Sequence, residues 1–264
     1  MPPNEKRSSR FVSVRKILPV LLLSLTLSAC NLPWFDGEEQ DLQHDMTRSD
    51  WEYLRMDDSI EPDAEMKAFI EPYREELFRE MNLVIAISNG VIERGQPESP
   101  LGNLTADILR NRASREMGKE VDIAILNRGG LRVPIPEGEV TVGHMYELMP
   151  FENHITLLRF TGSQIRQLAN ELAIEGGEPV SGLRMRIDGD QARDLLVGNM
   201  SVQDSREYWV ATNNWMADGG GPLPTLWSPL ERVDVEVLLR DAFIEYLRHQ
   251  PEPLEPRTDN RIRK

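Results

Sequence analysis

Strand-like and helix-like patterns alternate along this chain between about residue 60 and residue 250. The strand candidates are short apolar runs bounded by polar or glycine-containing turns: residues 83–87, 123–126, 155–160, 183–187 and 208–212. The segments between them place apolar residues at the three- and four-residue spacing of amphipathic helices. Each element of this kind must bury its apolar face against another, which layered packing achieves. The sequence therefore predicts an α/β fold, with helices layered on a mixed sheet in one domain.

Four helices are predicted from this spacing. Their apolar faces are Met66, Phe69, Ile70, Tyr73 and Leu77; Leu104, Ile108, Leu109 and Ala113; Ile165, Leu168, Ala169 and Leu172; and Val233, Leu238, Leu239, Phe243 and Leu247. Thr161 stands directly before the third helix, where its hydroxyl is expected to cap the free backbone N–H groups. Pro72 lies inside the first helix, where its missing N–H predicts a kink.

The first 29 residues have the composition of a secretory signal. A basic stretch ends at Lys16, and the apolar run that follows is shorter than the roughly 20 residues that span a bilayer. The run ends in Leu27-Ser28-Ala29-Cys30, and Cys30 is the only cysteine of the chain. This ending resembles a bacterial lipobox and predicts a signal peptide over residues 1–29, with a lipid anchor on Cys30. An ordinary signal peptide with a chance cysteine, or a short uncleaved anchor, are the alternatives.

Residues 30–59 are rich in aspartate and glutamate and are expected to form an acidic tether in front of a folded domain over residues 60–264. The net charge of −14 excludes nucleic acid as a favoured partner, because phosphate backbones attract positive surfaces. It also opposes attraction to an anionic membrane, so attachment to the membrane would depend on the lipid. The residue after Cys30 is Asn31, and not the aspartate that is typical at this position in lipoproteins retained in an inner membrane. The predicted location is the bacterial cell envelope, with the outer membrane favoured and the domain facing the periplasm or the exterior.

The four histidines do not form a pattern of metal ligands. His44, His144, His154 and His249 are far apart, and none belongs to a His-x-His or Asp-x-His pair. A two-metal hydrolytic site needs several such ligands in one cavity. The sequence also contains neither a P-loop nor a Gly-x-Ser-x-Gly elbow. We therefore expect no catalytic residue, no metal and no cofactor in this chain.

Three loops carry residues suited to ligand binding. Residues 127–132, Asn-Arg-Gly-Gly-Leu-Arg, follow a buried strand; the glycines permit close approach of a ligand, and arginines pair with phosphate. From spacing alone, a plain turn with solvated arginines is slightly favoured over a binding loop. Phe151 precedes a strand and is either a core residue or a stacking surface. Trp215 is followed by the glycine run 219–221, which offers it no side chains to pack against.

The order of five motifs along the chain resembles a known family. The motifs are Glu98-Ser99-Pro100-Leu101-Gly102-Asn103-Leu104-Thr105-Ala106-Asp107, the 127–132 turn, Met149-Pro150-Phe151-Glu152-Asn153, Val180-Ser181-Gly182-Leu183, and Ala211-Thr212-Asn213-Asn214 with the glycine run. Together they resemble the C-terminal domain of 5'-nucleotidases, a family that includes UDP-sugar hydrolases and 2',3'-cyclic nucleotide phosphodiesterases. The resemblance covers about residues 60 to 250.

The resemblance implies a layered α/β fold of the 5'-nucleotidase C-terminal type, and it assigns roles to residues. Phe151 and Trp215 are expected to sandwich a base, and Asn127 or Asn153 to contact the base edge. Arg132 is expected to reach the phosphate, with Arg115 as a second arginine.

One position departs from the family pattern. The family's Gly-Gly-Asp-Gly carries an aspartate that holds the ribose hydroxyls, and Gly221 occupies its place here. Asp218, three residues earlier, is a possible substitute that would start from a different point of the backbone.

The resemblance also implies a division of labour, since the family's metals and catalytic His-Asp pair belong to another domain. The predicted function is the nucleotide- or nucleoside-binding half of a split 5'-nucleotidase, acting in nucleotide catabolism with a separate metallophosphatase chain that holds the divalent metals. The alternatives are a non-enzymatic surface lipoprotein that binds nucleosides or nucleotide sugars, and a structural scaffold whose pocket has decayed.

Overall fold

The structure, a computed structural model, describes residues 60–264. The predicted signal peptide, Cys30 and the acidic tether lie outside the described residues. The helices are α1 (Ala64–Met81), α2 (Pro100–Met117), α3 (Val142–Leu148), α4 (Gly162–Ile174), α5 (Asn214–Ala217) and α6 (Leu239–Arg248). Single 3-10 turns are formed by Arg128–Gly130 and Pro224–Trp227.

The strands form three sheets. They are β1 (Val84–Ser88), β2 (Ile123–Ile125), β3 (Gly138–Thr141), β4 (His154–Thr161), β5 (Val180–Ser181), β6 (Leu183–Asp188), β7 (Gln191–Val197), β8 (Met200–Ser201), β9 (Glu207–Asn213), β10 (Glu231–Leu238) and β11 (Ile262–Arg263). The central sheet has the order β10-β4-β9-β2-β5, the second has the order β11-β6-β7-β8, and β1 pairs with β3. Within the central sheet β2 and β9 run parallel, whereas the other neighbours are antiparallel. The predicted mixed α/β architecture is confirmed.

The central sheet separates two apolar cores, because successive side chains of a strand point to opposite faces. On β2, Ala124 joins the core shared with α2, α3 and α6, while Ile123 and Ile125 join the core shared with α4. The second core also contains Leu183 and Met185 of β6, so α4 packs between the two sheets. Within residues 60–264, no helix has the length and apolar character needed to cross a membrane.

Helix α4 begins where the sequence predicts. Thr161 is its N-cap and forms a capping box: the Gln164 backbone N–H donates to the Thr161 hydroxyl, and the Thr161 N–H donates to the Gln164 side-chain oxygen. Helix α1 runs from Ala64 to Met81 across Pro72 and buries none of its residues.

The predicted start of the C-terminal helix is wrong. Val233 and Leu238 belong to β10, and α6 begins at Leu239. The segment alternates Val233, Val235 and Val237, the β-branched pattern of a strand, and it pairs antiparallel with β4. The prediction extended the helical spacing of Leu239, Phe243 and Leu247 too far toward the N-terminus, across a segment whose own alternation favours a strand.

Candidate functional site

Three loops meet at one edge of the central sheet. Because β2 and β9 are parallel, their C-terminal ends lie together, and the antiparallel β4 begins at the same edge. Asn127 follows β2, Asn153 precedes β4, and Trp215 follows β9. The topology therefore brings together residues that are far apart in the sequence.

The three loops enclose a cavity of about 350 Å³. It is lined by Asn127, Gly129, Gly130, Arg132, Phe151, Asn153 and Trp215. Five of the six residues that the sequence analysis assigns to ligand binding therefore line one cavity. A concave site of this size, with aromatic walls and a few polar groups, is typical of small-molecule binding.

The two aromatic side chains are partly exposed within this cavity. Phe151 is 42% exposed and Trp215 is 46% exposed, so neither is a core residue. Large apolar rings left accessible in a cavity provide flat surfaces on which a planar ligand can stack.

The glycine run supports the Trp215 ring, contrary to the expectation that it gives no packing partners. A Cβ at Gly220 would overlap the indole, and one at Gly221 would lie 3.5 Å from its Cζ3 atom. The Gly220 N–H also donates to the Trp215 carbonyl oxygen at 2.8 Å. Only a chain without side chains can approach the ring so closely, so the glycines fix the indole through their backbone.

Arg132 lies beside the Phe151 ring. Its guanidinium carbon is 6.0 Å from the centre of that ring, within the range of a cation–π interaction. One terminal nitrogen donates to the Gly129 carbonyl oxygen at 3.1 Å, and the Arg132 backbone N–H donates to the Leu148 carbonyl oxygen. A guanidinium has five N–H groups, so further donors are available for an anion in the cavity.

The turn at residues 127–132 is held from outside by two side chains to which the sequence analysis gave no role in this turn. Arg94 donates to the carbonyl oxygens of Arg132 at 2.9 Å and Arg128 at 3.5 Å. The Asn213 amide donates to the Asn127 side-chain oxygen at 3.0 Å. Arg94 is an isolated arginine in a loop and gives no local sequence signal. Asn213 belongs to the motif 211–214, but its contact with Asn127 depends on the parallel pairing of β2 and β9.

The side chain of Glu178 holds the same turn by binding to the backbone of the turn. Its carboxylate accepts the Arg128 backbone N–H at 2.6 Å, and the carboxylate is 3.9 Å from the Arg128 guanidinium. Burial raises the pKa of the Glu178 carboxyl, and the hydrogen bond and charge of Arg128 oppose that rise only in part.

Comparison with known proteins identifies the family to which this fold belongs. A family profile for the 5'-nucleotidase C-terminal domain matches residues 84–227, more than half of the chain. The chain belongs to this family.

The relatives of this 5'-nucleotidase C-terminal domain are longer proteins. A 5'-nucleotidase of Vibrio parahaemolyticus is 27% identical over 179 residues, covering 64% of this chain and 31% of the relative. An NAD 5'-nucleotidase of Haemophilus influenzae is 25% identical over 274 residues, covering 90% of this chain and 45% of the relative. The crystal structure of a 5'-nucleotidase precursor from Thermus thermophilus superimposes with a TM-score of 0.64 at 28% identity, covering 75% of this chain and 42% of that one. The chain thus spans less than half the length of each.

Two candidate residues lie away from the cavity of this 5'-nucleotidase C-terminal domain. Arg115, in the last turn of α2, pairs with Glu245 of α6 at 3.4 Å and does not line the cavity. Asp218 accepts a hydrogen bond from Arg232 at 2.6 Å and is likewise absent from the lining. The topology therefore does not bring either of them to the aromatic pair.

Histidine and carboxylate side chains are dispersed in the part of the chain that the structure describes. Within residues 60–264, no three His, Cys, Asp or Glu side chains lie close enough to hold a metal ion. The His144 ring accepts the Thr141 backbone N–H at 3.0 Å and so completes a capping box at the start of α3.

Proposed function

We propose that this domain binds a nucleotide or nucleoside between Phe151 and Trp215, and that a separate metallophosphatase chain supplies the metals and hydrolyses the phosphate ester. The observation that carries the proposal is one cavity of about 350 Å³ that contains two half-exposed aromatic rings and an arginine. A planar base with a charged phosphate matches these features. The relatives named above as nucleotidases support this ligand class.

In the proposed complex the base stacks between the rings and the phosphate lies toward Arg132. The Asn127 side chain accepts a hydrogen bond from Asn213 and offers its remaining groups to the base edge, and Asn153 lines the same cavity. Stacking tolerates every base because each has a π-face, so we expect several bases to bind with similar strength.

Recognition of the ribose is expected to be weak. Gly221 has no side chain that can reach a sugar hydroxyl, and Asp218 is already paired with Arg232. We therefore expect adenosine and deoxyadenosine to bind almost equally.

Titration calorimetry with adenosine, deoxyadenosine and AMP tests the binding proposal. Trp215→Ala removes one stacking surface and should weaken binding of all three ligands by about 1–3 kcal/mol, or roughly 5- to 150-fold. Trp227→Ala is the matched control, because Trp227 is similarly exposed, at 45%, and does not line the cavity. Absence of heat from the unmodified protein at millimolar ligand would contradict the proposal and favour the decayed scaffold.

Phosphate release tests the division of labour. The purified chain with added manganese or zinc is expected to release no phosphate from AMP, whereas addition of the metallophosphatase partner should restore hydrolysis. Metal-dependent release that survives repurification and changes with the protein's own variants would show that this chain is itself the enzyme. Binding that no metallophosphatase converts into hydrolysis would instead support the non-enzymatic surface lipoprotein.

A further inference from the structure

Arg240, at the start of α6, is a buried cation outside the cavity lining. Only 7% of the residue is exposed, and no carboxylate among residues 60–264 forms an ion pair with it. Its Nε atom is buried without a hydrogen-bond partner within the described residues. A buried charge of this kind destabilises the folded protein unless other groups compensate for it. The contacts of Arg240 therefore indicate its role.

Those contacts converge on the segment that presents Phe151. One terminal nitrogen of Arg240 donates to the carbonyl oxygens of Met149 at 3.0 Å and Phe151 at 3.4 Å. The preceding residue, Leu239, donates its backbone N–H to the Asn153 carbonyl oxygen at 2.8 Å. The first turn of α6 therefore holds residues 149–153 at three carbonyl groups.

Tyr146 of α3 completes the environment of the guanidinium. The guanidinium carbon of Arg240 lies 4.0 Å from the centre of the Tyr146 ring, close enough for a strong cation–π contact. The ring face compensates part of the buried charge and fixes the plane of the guanidinium.

We propose that Arg240 is a positioning residue that holds the Phe151 ring in the orientation required for base stacking. The proposal rests on the proposed function, because it assigns Phe151 to the base. Residues 149–153 lie between α3 and β4 and belong to neither a helix nor a strand, and the ring itself is half exposed. Packing alone therefore does not fix the ring, and hydrogen bonds from a charged donor, stronger than neutral ones, supply the constraint.

Arg240→Met removes the donors and keeps an apolar side chain of similar length. We expect AMP and adenosine to lose affinity by the same factor, at least about threefold, because Arg240 acts on the base and not on the phosphate. Arg240→Lys keeps the positive charge and an ammonium group that donates hydrogen bonds, so it should recover part of the lost affinity. Arg112→Met is the matched control, since Arg112 also contacts α6, through Glu245, and lies outside the cavity lining.

A double-mutant cycle with Phe151→Ala separates positioning from a general effect on stability. In the Phe151→Ala background, Arg240→Met is expected to cause no further loss of affinity, because the ring that it orients is gone. An equal loss in both backgrounds, or no loss in either, would overturn the proposal.

Tyr146→Leu and Tyr146→Phe provide a second route if Arg240→Met does not fold. Tyr146 is 38% exposed, so we expect its substitution to disturb the fold less than substitution of the buried arginine. We expect Tyr146→Leu to weaken binding of both ligands. Tyr146→Phe keeps the ring face and should bind like the unmodified protein. Identical binding by the two variants would contradict the proposal.

If the unmodified protein binds neither ligand, the proposed function itself fails, and that result is visible before any variant is measured.

Discussion

Arg132 is the residue through which the cavity can distinguish a nucleotide from a nucleoside. Its guanidinium lies beside Phe151, and at least one of its donors is engaged by the Gly129 carbonyl oxygen. A charged ligand gains from the donors that remain, whereas an uncharged one does not.

Arg132→Ala should therefore weaken AMP binding and leave adenosine binding nearly unchanged. A charge-assisted hydrogen bond contributes about 1.5–3 kcal/mol, so its loss should lower the affinity for AMP by a factor of at least about ten. Calorimetry with both ligands measures the difference, and Arg257→Ala, at an exposed position outside the cavity, is the control. Equal losses for AMP and adenosine would show that Arg132 supports the cavity wall and does not contact the phosphate.

Glu178 is the residue at which the stability of the turn depends on pH. Burial raises the pKa of this carboxyl above its ordinary value of 4.5, so the folded protein holds this proton more tightly than the unfolded chain. The contribution of Glu178 to stability is therefore fully present below pH 4.5 and is lost as the pH rises through the raised pKa.

Glu178→Gln removes the titration and keeps an oxygen that can accept the Arg128 N–H. The free energy of unfolding of this variant, relative to that of the unmodified protein, should increase as the pH is raised from below 4.5 to neutral. Urea unfolding at a series of pH values measures this trend. A difference that stays constant with pH would show that the Glu178 pKa is not raised in the folded protein.

At the scale of elements, α4 is fixed by its capping box and by its place between two sheets. The cap satisfies backbone N–H groups that have no partner within the helix, and the apolar face of α4 joins the core beneath the central sheet. The β4 strand runs from the cavity edge directly into this cap, so α4 anchors the end of the strand that lies farthest from the ligand site.

Thr161→Ala removes the capping hydroxyl and should lower the free energy of unfolding by about 1 kcal/mol. Thr161→Ser keeps a hydroxyl at the same position and should cost much less. Urea denaturation measures both variants, and AMP binding by the folded protein should be unaffected because Thr161 does not line the cavity. An equal loss of stability in the two variants would mean that the methyl group, and not the hydrogen bond, makes the contribution.

At the scale of the whole molecule, we propose that the domain is held at the cell envelope by lipid on Cys30. The basic head, apolar run and small residues before this cysteine support the proposal. A single acyl chain binds a membrane only marginally, so stable attachment requires more than one chain.

Cys30→Ser should move the protein from the membrane fraction to the soluble fraction, or block its processing. Fractionation of cells followed by immunoblotting measures the distribution, and Ser28→Ala, which keeps the cysteine, is the control. If the Cys30→Ser protein has the size of the processed form and still remains with the membranes after a high-salt wash, the lipid anchor is wrong.

Sequence by itself determined the fold class, the start of α4 and the loops that carry Phe151 and Trp215. These features follow from local patterns: apolar periodicity reports which face of an element is buried, and cap and turn residues act on neighbouring backbone groups. The resemblance to 5'-nucleotidases then supplied the expected roles of Asn127, Arg132 and Asn153.

Tertiary structure alone decided which of these residues meet and what holds them. Arg240 lies 91 residues from Met149, and Glu178 lies 50 residues from Arg128, so neither contact follows from local spacing. The same holds for the pairing of β10 with β4 and for Arg115, which α2 directs toward Glu245. Strand pairing and buried polar contacts join segments that are distant in the chain, and only the assembled sheet fixes their positions.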